Sequence, residues 1–376
     1  MKGFLISSNK TECFGCGACQ NVCPKSCITM TFDSEGFRYP SIDKTKCISC
    51  LLCQKVCPVE EIPHKNQPLL AYGGHNKDRK ICGDSTSGGF FSLLAKRCFQ
   101  EKGTVFGAAE INPLSIKHIS INSENDLSKI QKSKYLQSDI GLCFQETKNL
   151  LLKRENVVFS GTPCQIAGLL NYLKITRTST DSLLTAEVVC EGLPTPLFTK
   201  KQIEYFQKQT KSRVSCLDWR FKNKNRWDFQ TMLLTFSSGK RLKIDRWVNP
   251  FWSIWLSHMM SRPSCYSCPF ASRARIADIT MGDLWGVHKY CPDLYNKDRG
   301  ASVLFVNSKK GEDALNDVLP NFEGHKLTVD DAIKYQGPLR NHISENPSRE
   351  QFFRDVGNLS YPQLVHKYGK KINYHS

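Results

Sequence analysis

The sequence contains no long apolar run, and this limits where the protein can reside. Its longest candidate, residues 251–256, falls far short of the roughly 18 residues that a membrane span needs. Cysteines begin within a dozen residues of the N-terminus, so no secretory signal is expected. With 40% hydrophobic and 23% charged residues the chain reads as an ordinary folded protein. We therefore expect a protein without a membrane span, in the cytoplasm.

Two nucleotide-binding motifs are also missing. The chain has neither a G-x-G-x-x-G fingerprint nor a P-loop. Without the first, a Rossmann dinucleotide site is not supported, and without the second, a Walker ATPase is not supported.

Acidic residues are scarce. The 376-residue chain has 35 acidic and 52 basic side chains, a formal net charge of +17. Such an excess favours an anionic partner: an acidic redox protein, a phosphorylated cofactor or substrate, or nucleic acid. Trp219, Trp227 and Trp247 near basic residues could stack on bases, but such residues are equally common in protein cores, so nucleic acid is not favoured. A merely solvated basic surface remains an alternative.

Cysteine, in contrast, is abundant, with 18 residues. Disulfides belong mainly to small secreted domains, so clustered cysteines in a chain of this length indicate metal binding in a reducing compartment.

The N-terminal cysteines form an internal repeat. The pattern C-x2-C-x2-C-x3-C-P occurs twice at a constant offset, which is typical of a two-cluster bacterial ferredoxin. The first copy is Cys13, Cys16, Cys19 and Cys23, and the second is Cys47, Cys50, Cys53 and Cys57.

In this arrangement the fourth ligand of each 4Fe–4S cluster comes from the other repeat. Cys57 is thus expected to join Cys13, Cys16 and Cys19, and Cys23 to join the second triplet. A zinc site usually uses separated C-x2-C pairs, so it fits less well. Between the repeats, residues 28–32 and 37–39 predict a hairpin. Cys27 lies outside the ligand pattern and is expected to be a small buried residue.

The remainder of the chain alternates short apolar strands with helices, which predicts an α/β or α+β fold. We expect a ferredoxin-like module at 1–66, followed by a region of two parts, 67–180 and 181–376. Strands are predicted at 69–72, 104–109, 116–121, 157–159, 184–189, 231–236, 241–244, 276–281 and 303–306, and helices at 87–100, 140–153 and 165–173.

Four further cysteines could form a third metal site. Cys164 and Cys190 each follow a predicted strand, where an α/β sheet opens into its crevice. Cys265 and Cys268 form a C-x2-C loop. A zinc site or inert buried thiols remain alternatives. Packing roles are expected for Cys82, Cys98, Cys143, Cys216 and Cys291.

Two glycine-containing turns precede predicted helices, and exposed amides there suit an anion such as a pyrophosphate. They are residues 85–89 and residues 161–164. Plain helix caps are the alternative interpretation of both.

Several segments together resemble the coenzyme F-420 hydrogenase/dehydrogenase beta-subunit family. They are STSGGFFSLLA from Ser85, SKYLQS at 133–138, VVFSGTPCQIAGL at 157–169, VVCEGLPTP from Val188, SCYSCPF from Ser264 and ADITMGDLWG from Ala277. The resemblance spans about 68–310, with a ferredoxin module fused in front.

The resemblance implies a mixed α/β FAD-binding region with a 4Fe–4S cluster beside the flavin. It implies that Cys164, Cys190, Cys265 and Cys268 hold that cluster, and that Lys134 stabilises negative charge on the reduced flavin. The FAD contacts that it implies are Ser85, Thr86, Ser87, Gly88, Gly89, Lys134, Tyr135, Gln137, Gly161, Thr162, Pro163 and Asp283.

The main functional expectation is an FAD- and iron–sulfur-dependent oxidoreductase acting on a small molecule, for which a sugar derivative of polysaccharide biosynthesis is one candidate. Its expected partner is ferredoxin or another redox protein, and a homo-oligomer is left open. The alternatives are an oxidase of reduced coenzyme F-420, a non-catalytic electron-transfer subunit of a larger complex, and a metal-stabilised nucleic-acid binder.

Overall fold

A computed structural model describes residues 2–222, 227, 230–246, 248–295 and 298–369. Its N-terminal module carries both cysteine repeats on short helices joined by a hairpin. The elements of this module are α1 (Phe4–Ser7), α2 (Ala18–Val22), β1 (Ile28–Phe32), β2 (Arg38–Ile42) and α3 (Leu52–Lys55), with a 3-10 turn at Lys10–Glu12.

The hairpin between the repeats confirms the sequence expectation. Strands β1 and β2 pair antiparallel, with Ile28 opposite Ile42. The Asp33 carboxylate closes the turn by accepting the amides of Glu35 and Phe37 at 3.0 and 2.9 Å. Such an Asx-type contact fixes the reversal, so the two cysteine repeats are brought back toward each other.

The middle of the chain builds a large mixed sheet with helices on both faces. Its first elements are β3 (Leu70–Asn76), α4 (Arg79–Gly83), α5 (Phe90–Gln100), β4 (Thr104–Asn112), β5 (Ser115–Ile121), α6 (Leu127–Ile130), α7 (Cys143–Leu152), β6 (Val157–Gly161), α8 (Pro163–Ile175) and β7 (Leu183–Val188), with a 3-10 turn at Glu124–Asp126.

A second, three-stranded sheet and its helices follow. They are α9 (Pro196–Thr210), β8 (Val214–Asp218), β9 (Met232–Phe236), β10 (Arg241–Ile244) and α10 (Pro250–Leu256), with a 3-10 helix at Pro263–Ser267. The antiparallel order β10-β9-β8 includes the hairpin predicted from residues 231–244. The aromatic residues of α10 are buried in the core of this region, so the longest apolar run of the sequence is a packing helix.

The rest of the chain completes the large sheet and adds C-terminal helices. These elements are β11 (Ile279–Asp283), α11 (Val287–Tyr290), β12 (Ser302–Val306), α12 (Lys309–Val318), β13 (Phe322–Leu327), α13 (Val329–Lys334), α14 (Arg349–Asn358) and α15 (Tyr361–Tyr368), with 3-10 turns at Pro292–Leu294, Leu319–Asn321 and Gly337–Leu339. Within the described residues, no helix has both the length and the apolar character needed to cross a membrane.

The large sheet has the order β13-β3-β12-β11-β7-β6-β4-β5. Strands β4, β6, β7 and β11 run parallel, and antiparallel strands flank them on both sides. This mixed α/β arrangement confirms the predicted fold class. The sheet draws strands from both sides of residue 180, so the two parts that we separated there share one sheet.

Alternation along the parallel strands divides the core between the two faces. Val105 and Val158 pack on the face covered by α5 and α12, whereas Phe106 and Phe159 pack on the face covered by α8. The hydrophobic core on the α8 face also contains Phe14 of the N-terminal module. The ferredoxin-like module is therefore built into the hydrophobic core of the body and docks through α8.

Candidate iron–sulfur and flavin sites

All 18 cysteines are free thiols, and twelve of them fall into three groups. The first group, called set one, is Cys13, Cys16, Cys19 and Cys57. All four line a single cavity of the N-terminal module, which Cys53 of the second repeat also lines. Gly15 and Gly17 have φ angles of +65° and +75°, which their lack of a side chain permits, and this backbone wraps the cavity. Cys57 thus lies beside the triplet of the other repeat.

The second group, set two, is Cys23, Cys47, Cys50 and Cys53, and it faces solvent. Cys50 is exposed, and the other three are half-buried. Burial raises the pKa of Cys53, and the nearby thiols of Cys50 and Cys23 add to the rise. Cys27 is buried, as expected, but its sulfur lies 3.3 Å from that of Cys23. It therefore packs directly against this set, which its sequence position did not reveal.

The third group, set three, unites residues that are far apart in the sequence. Cys164 begins α8 directly after β6, Cys190 follows β7, and Cys265 and Cys268 lie on and after the 3-10 helix Pro263–Ser267. All four line one cavity. Burial, together with the nearby thiols of Cys268 and Cys164, raises the pKa of Cys265 to about 12. Parallel strands deliver Cys164 and Cys190 to the same edge of the sheet, so the sequence-based grouping is reproduced in space.

Thiolates are the ligands that iron–sulfur clusters require, and each set offers four of them. A cluster uses one thiolate at each corner iron, whereas a zinc ion needs all its ligands around one centre. Among the described residues, no group of three or more His, Cys, Asp or Glu side chains is spaced to hold a single metal ion. The donor chemistry of each set therefore fits a 4Fe–4S cluster.

Sets one and three are neighbours across α8. A methyl group added to Gly168 would lie 3.0 Å from the sulfur of Cys16. Gly168 is one helical turn after Cys164, so the same face of α8 presents the Cys164 thiol to set three and, at Gly168, leaves room for Cys16 of set one. Phe14 lines both cavities, and its ring meets that of Phe270 edge-on at 5.3 Å. A short apolar partition thus separates the two cavities.

Arg262 ties these two sets together. It is fully buried, and its Nε and Nη2 donate to the carbonyls of Cys13 and Arg38 at 2.8 and 2.9 Å. Its Nη1 donates to Oε1 of Gln137 at 3.2 Å. These partners carry no charge, yet a buried cation requires compensation. Negatively charged clusters in the two adjacent sets would supply it.

The predicted FAD contacts in residues 85–89 lie at the carboxyl end of β3. Gly88 accepts the amide of Asn76 at 2.7 Å, and its own amide donates to Ser302 Oγ at 2.9 Å. Thr86 accepts the amide of Ser133. Ser85 caps α4 by donating to the carbonyl of Ile81, and Gly89 precedes α5 with a φ of +79°. The segment is thus tightly packed, and several of its hydrogen-bonding groups already have partners within the protein.

A lysine that sequence reasoning missed holds this segment in place. Lys222 donates from Nζ to the carbonyls of Cys82, Ser87 and Arg299, each at 2.6 Å. Burial lowers its pKa to about 8. No motif identified Lys222, because its role arises only when residues 82, 87 and 299 meet in space.

The second predicted turn, residues 161–163, is the start of α8. Thr162 and Gln165 form a capping box, in which Gln165 Oε1 accepts the Thr162 amide at 3.0 Å. The Thr162 hydroxyl also lies 3.2 Å from the sulfur of Cys164. Pro163 occupies the first helical position, and Gly161 ends β6. The turn is therefore a helix cap that also contacts the Cys164 thiol of set three.

The predicted contacts at 134–137 divide between two surroundings. Gln137 donates to the carbonyls of Phe14 and Gly15, so it supports the set-one loop. Lys134 donates to the carbonyl of Gln131 at 2.5 Å, and burial lowers its pKa to about 8, opposed by the carboxylates of Glu110 and Asp218. Tyr135 instead points toward Arg220 and Asp283.

Tyr135, Arg220 and Asp283 form a compact polar group. Arg220 Nη1 donates to Asp283 Oδ2 at 3.0 Å and to the Tyr135 hydroxyl at 3.3 Å. The guanidinium also lies 5.5 Å from the centre of the Trp285 ring. The structure thus brings two predicted contacts together around an arginine that the sequence did not single out.

Other expected roles were mostly confirmed. Cys82, Cys98, Cys143 and Cys291 are buried. The packing prediction was wrong for Cys216, which is exposed because its side chain faces outward on β8. Trp219 and Trp227 are buried and offer no face for stacking bases. Trp247 lies outside the described residues.

These features define an iron–sulfur redox protein with a mixed α/β body. Residues 12–60 match the family of 4Fe–4S dicluster domains. Residues 154–329 match the family that comprises the C terminus of the beta subunit of coenzyme F-420 hydrogenase/dehydrogenase. The resemblance found in the sequence is confirmed, and the protein is related to that beta subunit through this region.

No match was found among curated proteins. One similar solved structure is the F-420-reducing nickel–iron hydrogenase complex from Methanosarcina barkeri. The similarity has 14% identity and a TM-score of 0.47, and covers 80% of this chain and 92% of the other. A likeness at this level carries no argument about function.

Proposed function

We propose that the protein is an FAD-dependent iron–sulfur oxidoreductase that passes electrons between a redox partner protein and a small-molecule substrate. The observation that carries the proposal is the spatial order of the cysteine sets. Set two faces solvent, set one is enclosed by the module, and set three lies at the carboxyl edge of the parallel strands. Such an order connects the protein surface with a site inside the fold.

The surface around set two suits an acidic redox partner. Ile48 and Leu51 are exposed apolar residues on either side of Cys50. The lysines that flank the set in sequence, Lys25, Lys44, Lys46 and Lys55, are also exposed. An apolar centre with a basic rim favours docking of a protein with an acidic surface, such as a ferredoxin, because complementary charge steers encounter.

FAD supplies the means to combine single electrons into the two-electron step that most organic substrates need. The residues proposed to hold it are those at 85–89, 134–135, 161–163 and 283. Buried polar atoms without partners near Asp283 fit a bound polar group there. Arg262 and Gln137 then fix the geometry between sets one and three, while Lys222 fixes the 85–89 segment.

The substrate is proposed to be a small molecule, and a sugar derivative is one candidate. Anaerobic purification with iron, sulfide and flavin quantified tests the proposal. We expect about twelve iron atoms and one FAD per chain, since each cluster holds four. A yield of about eight iron atoms without flavin would contradict it and leave the dicluster domain alone.

A further inference from the structure

Arg220 is unusual among the buried arginines of this chain. It follows β8, is only 4% exposed, and pairs with Asp283 at 3.0 Å. Among the described residues, however, its Nε and Nη2 have no hydrogen-bond partner. The other deeply buried arginines, Arg262 and Arg275, leave no such nitrogen within the described part of the chain. Arg220 is therefore an incomplete polar contact.

The two unused nitrogens lie on one edge of the guanidinium plane. Nη1, at the other corner, is occupied by Asp283 Oδ2 and the Tyr135 hydroxyl. An Nε–Nη2 edge presents two parallel N–H donors, and this fork matches two oxygens of a carboxylate or phosphate, or another delocalised anion. Buried donors without partners are rare in proteins, so a ligand is the expected partner.

Asp283 has an unused hydrogen-bond acceptor, whereas Arg220 has unused donors. Its Oδ1 is buried and accepts no hydrogen bond from the described residues. Its backbone carbonyl accepts from Gln336 Nε2 at 2.7 Å, which holds the residue in place. A carboxylate oxygen needs an N–H or O–H donor. The missing ligand should therefore present a donor group beside its anionic edge.

The position of the group also indicates a ligand site. Met281 of β11 pairs with Val188 of β7. Asp283 is the last residue of β11, and Cys190 lies two residues beyond the end of β7, so both are near the carboxyl ends of adjacent parallel strands. Adjacent strands are about 4.8 Å apart, so the Arg220–Asp283 group lies at the same carboxyl edge of the sheet as set three. Ligands of open α/β sheets bind at this carboxyl edge.

We propose that Arg220, Asp283 and Tyr135 form a binding site for a ligand that carries a delocalised anion next to a hydrogen-bond donor. Arg220 takes the anion through Nε and Nη2, Asp283 Oδ1 takes the donor, and Tyr135 holds the arginine. Two molecules can present this chemistry: the pyrimidine edge of reduced flavin, and a hydroxy-carboxylate or phosphorylated substrate. The inference rests on the proposed function only in the first case.

The experiment has one arm for each source and compares wild type with Arg220→Met and Arg220→Lys. In the first arm, protein loaded with FAD is titrated with sulfite, whose addition to the flavin places negative charge on the pyrimidine edge. In the second arm, flavin-free protein is titrated with inorganic phosphate and with glycolate by calorimetry. Arg213→Met, at an exposed arginine directly before β8, is the matched control.

Arg220→Met should weaken binding in one arm by about 10- to 100-fold, as expected for the loss of charge-assisted hydrogen bonds. The arm that changes identifies the source of the anion. Arg220→Lys should recover only part of the loss, because it retains charge without the fork. Unchanged affinities in both arms would overturn the inference.

Two further outcomes are distinguishable. If wild type binds no FAD, the proposed function fails, while the phosphate and glycolate arm still decides the inference. If Arg220→Met does not fold because Asp283 is left as a lone buried charge, the double variant Arg220→Met/Asp283→Asn removes both charges and takes its place. A double variant that folds and binds like wild type would also overturn the inference.

Discussion

Sets two and three each contain four thiols, but their surroundings are opposite. Set two comes from one short repeat unit and its neighbour, and its Cys50 is exposed. Set three is assembled from residues 164 to 268 and shares its cavity with the buried Arg262 and Arg275. A surface set can exchange electrons with another protein, whereas an enclosed set can act only within the fold. The difference therefore lies in access rather than in ligand chemistry.

The largest expected effect comes from removing set three. In Cys265→Ser/Cys268→Ser, two ligands on one loop are lost, and iron should fall from about twelve to about eight atoms per chain. Iron assay and low-temperature EPR of the reduced protein measure this. Cys216→Ser, at an exposed cysteine outside the sets, should leave iron unchanged. A double variant that keeps the full iron content would show that set three holds no cluster.

The next effect tests the link between sets one and three. Arg262→Met removes a buried charge next to both sets and leaves the carbonyls of Cys13 and Arg38 without donors. Each unsatisfied group costs about 1–3 kcal/mol, so the variant should be clearly less stable. Without the positive charge, the reduced form of the clusters in sets one and three should be less stable relative to the oxidised form. Their midpoint potentials should fall in an EPR-monitored redox titration, while that of set two stays constant.

Arg262→Lys provides the control for this prediction. It keeps the charge but cannot span Cys13, Arg38 and Gln137 with a planar fork. The potentials should then stay near those of wild type even if stability falls. Equal shifts at all three sets would instead indicate a general loosening of the protein.

A smaller effect concerns the exposed side of the comparison. Changing Lys44, Lys46 and Lys55 to Glu reverses the rim of set two. Reduction by an acidic ferredoxin at low ionic strength should slow by about tenfold, because electrostatic steering is lost. Stopped-flow absorbance measures the rate. The matched variant at Lys200, Lys208 and Lys211, in and just after α9, should behave as wild type, and the difference should shrink as salt is added.

If both triple variants slow equally, the attraction comes from net charge, and set two is not the docking point. If neither slows, the partner docks elsewhere.

How much the sequence revealed follows the same division. Set two and its partner repeat were readable because the ligands lie close together in sequence at fixed spacing. The four cysteines of set three were grouped from the sequence as one possible metal site, but only the family resemblance favoured a cluster there, because strands β6 and β7 must first be placed side by side. Strand and hairpin positions near apolar alternation were found, whereas α9 was missed because its sequence is rich in lysine and glutamine and its apolar face is narrow.

Residues that act through tertiary contacts were not predictable. Arg220 and Lys222 follow β8 and belong to no recognisable motif. Their hydrogen-bond partners are distant in the sequence and include Cys82, Asp283 and Arg299. Gln137 donates to the carbonyl of Phe14 in the set-one loop, a contact that its position in the sequence did not indicate. Local spacing identifies ligands, but it does not reveal which distant carbonyl or carboxylate a cation will meet.

The smallest expected effect uses pH to separate the two regions. His118 is buried against β6, where its Nε2 bonds to the carbonyl of Ser160 at 2.8 Å and its ring stacks on Phe159. Burial lowers its pKa to about 4, Lys134 adds to the decrease, and the Ser160 carbonyl and Asp139 oppose it. An unfolded histidine titrates near 6.5, so the open state binds more protons below that pH. The stability that neutral His118 contributes is therefore fully present above about pH 6.5, and it is lost as the pH falls toward 4.

When the pH falls from 7 to 5.5, the free energy of opening the region around β6 should decrease by about 1 kcal/mol. That of the β1–β2 hairpin near set two should not change. Hydrogen exchange of the holoprotein, corrected for the intrinsic rate at each pH, measures both regions in one sample. Protection of the Val158 amide should fall about fivefold to tenfold more than that of Thr29. In His118→Gln, which can still donate to Ser160 but does not titrate, this excess should vanish. If the excess persists in the variant, the acid sensitivity of the region that carries Cys164 comes from another group.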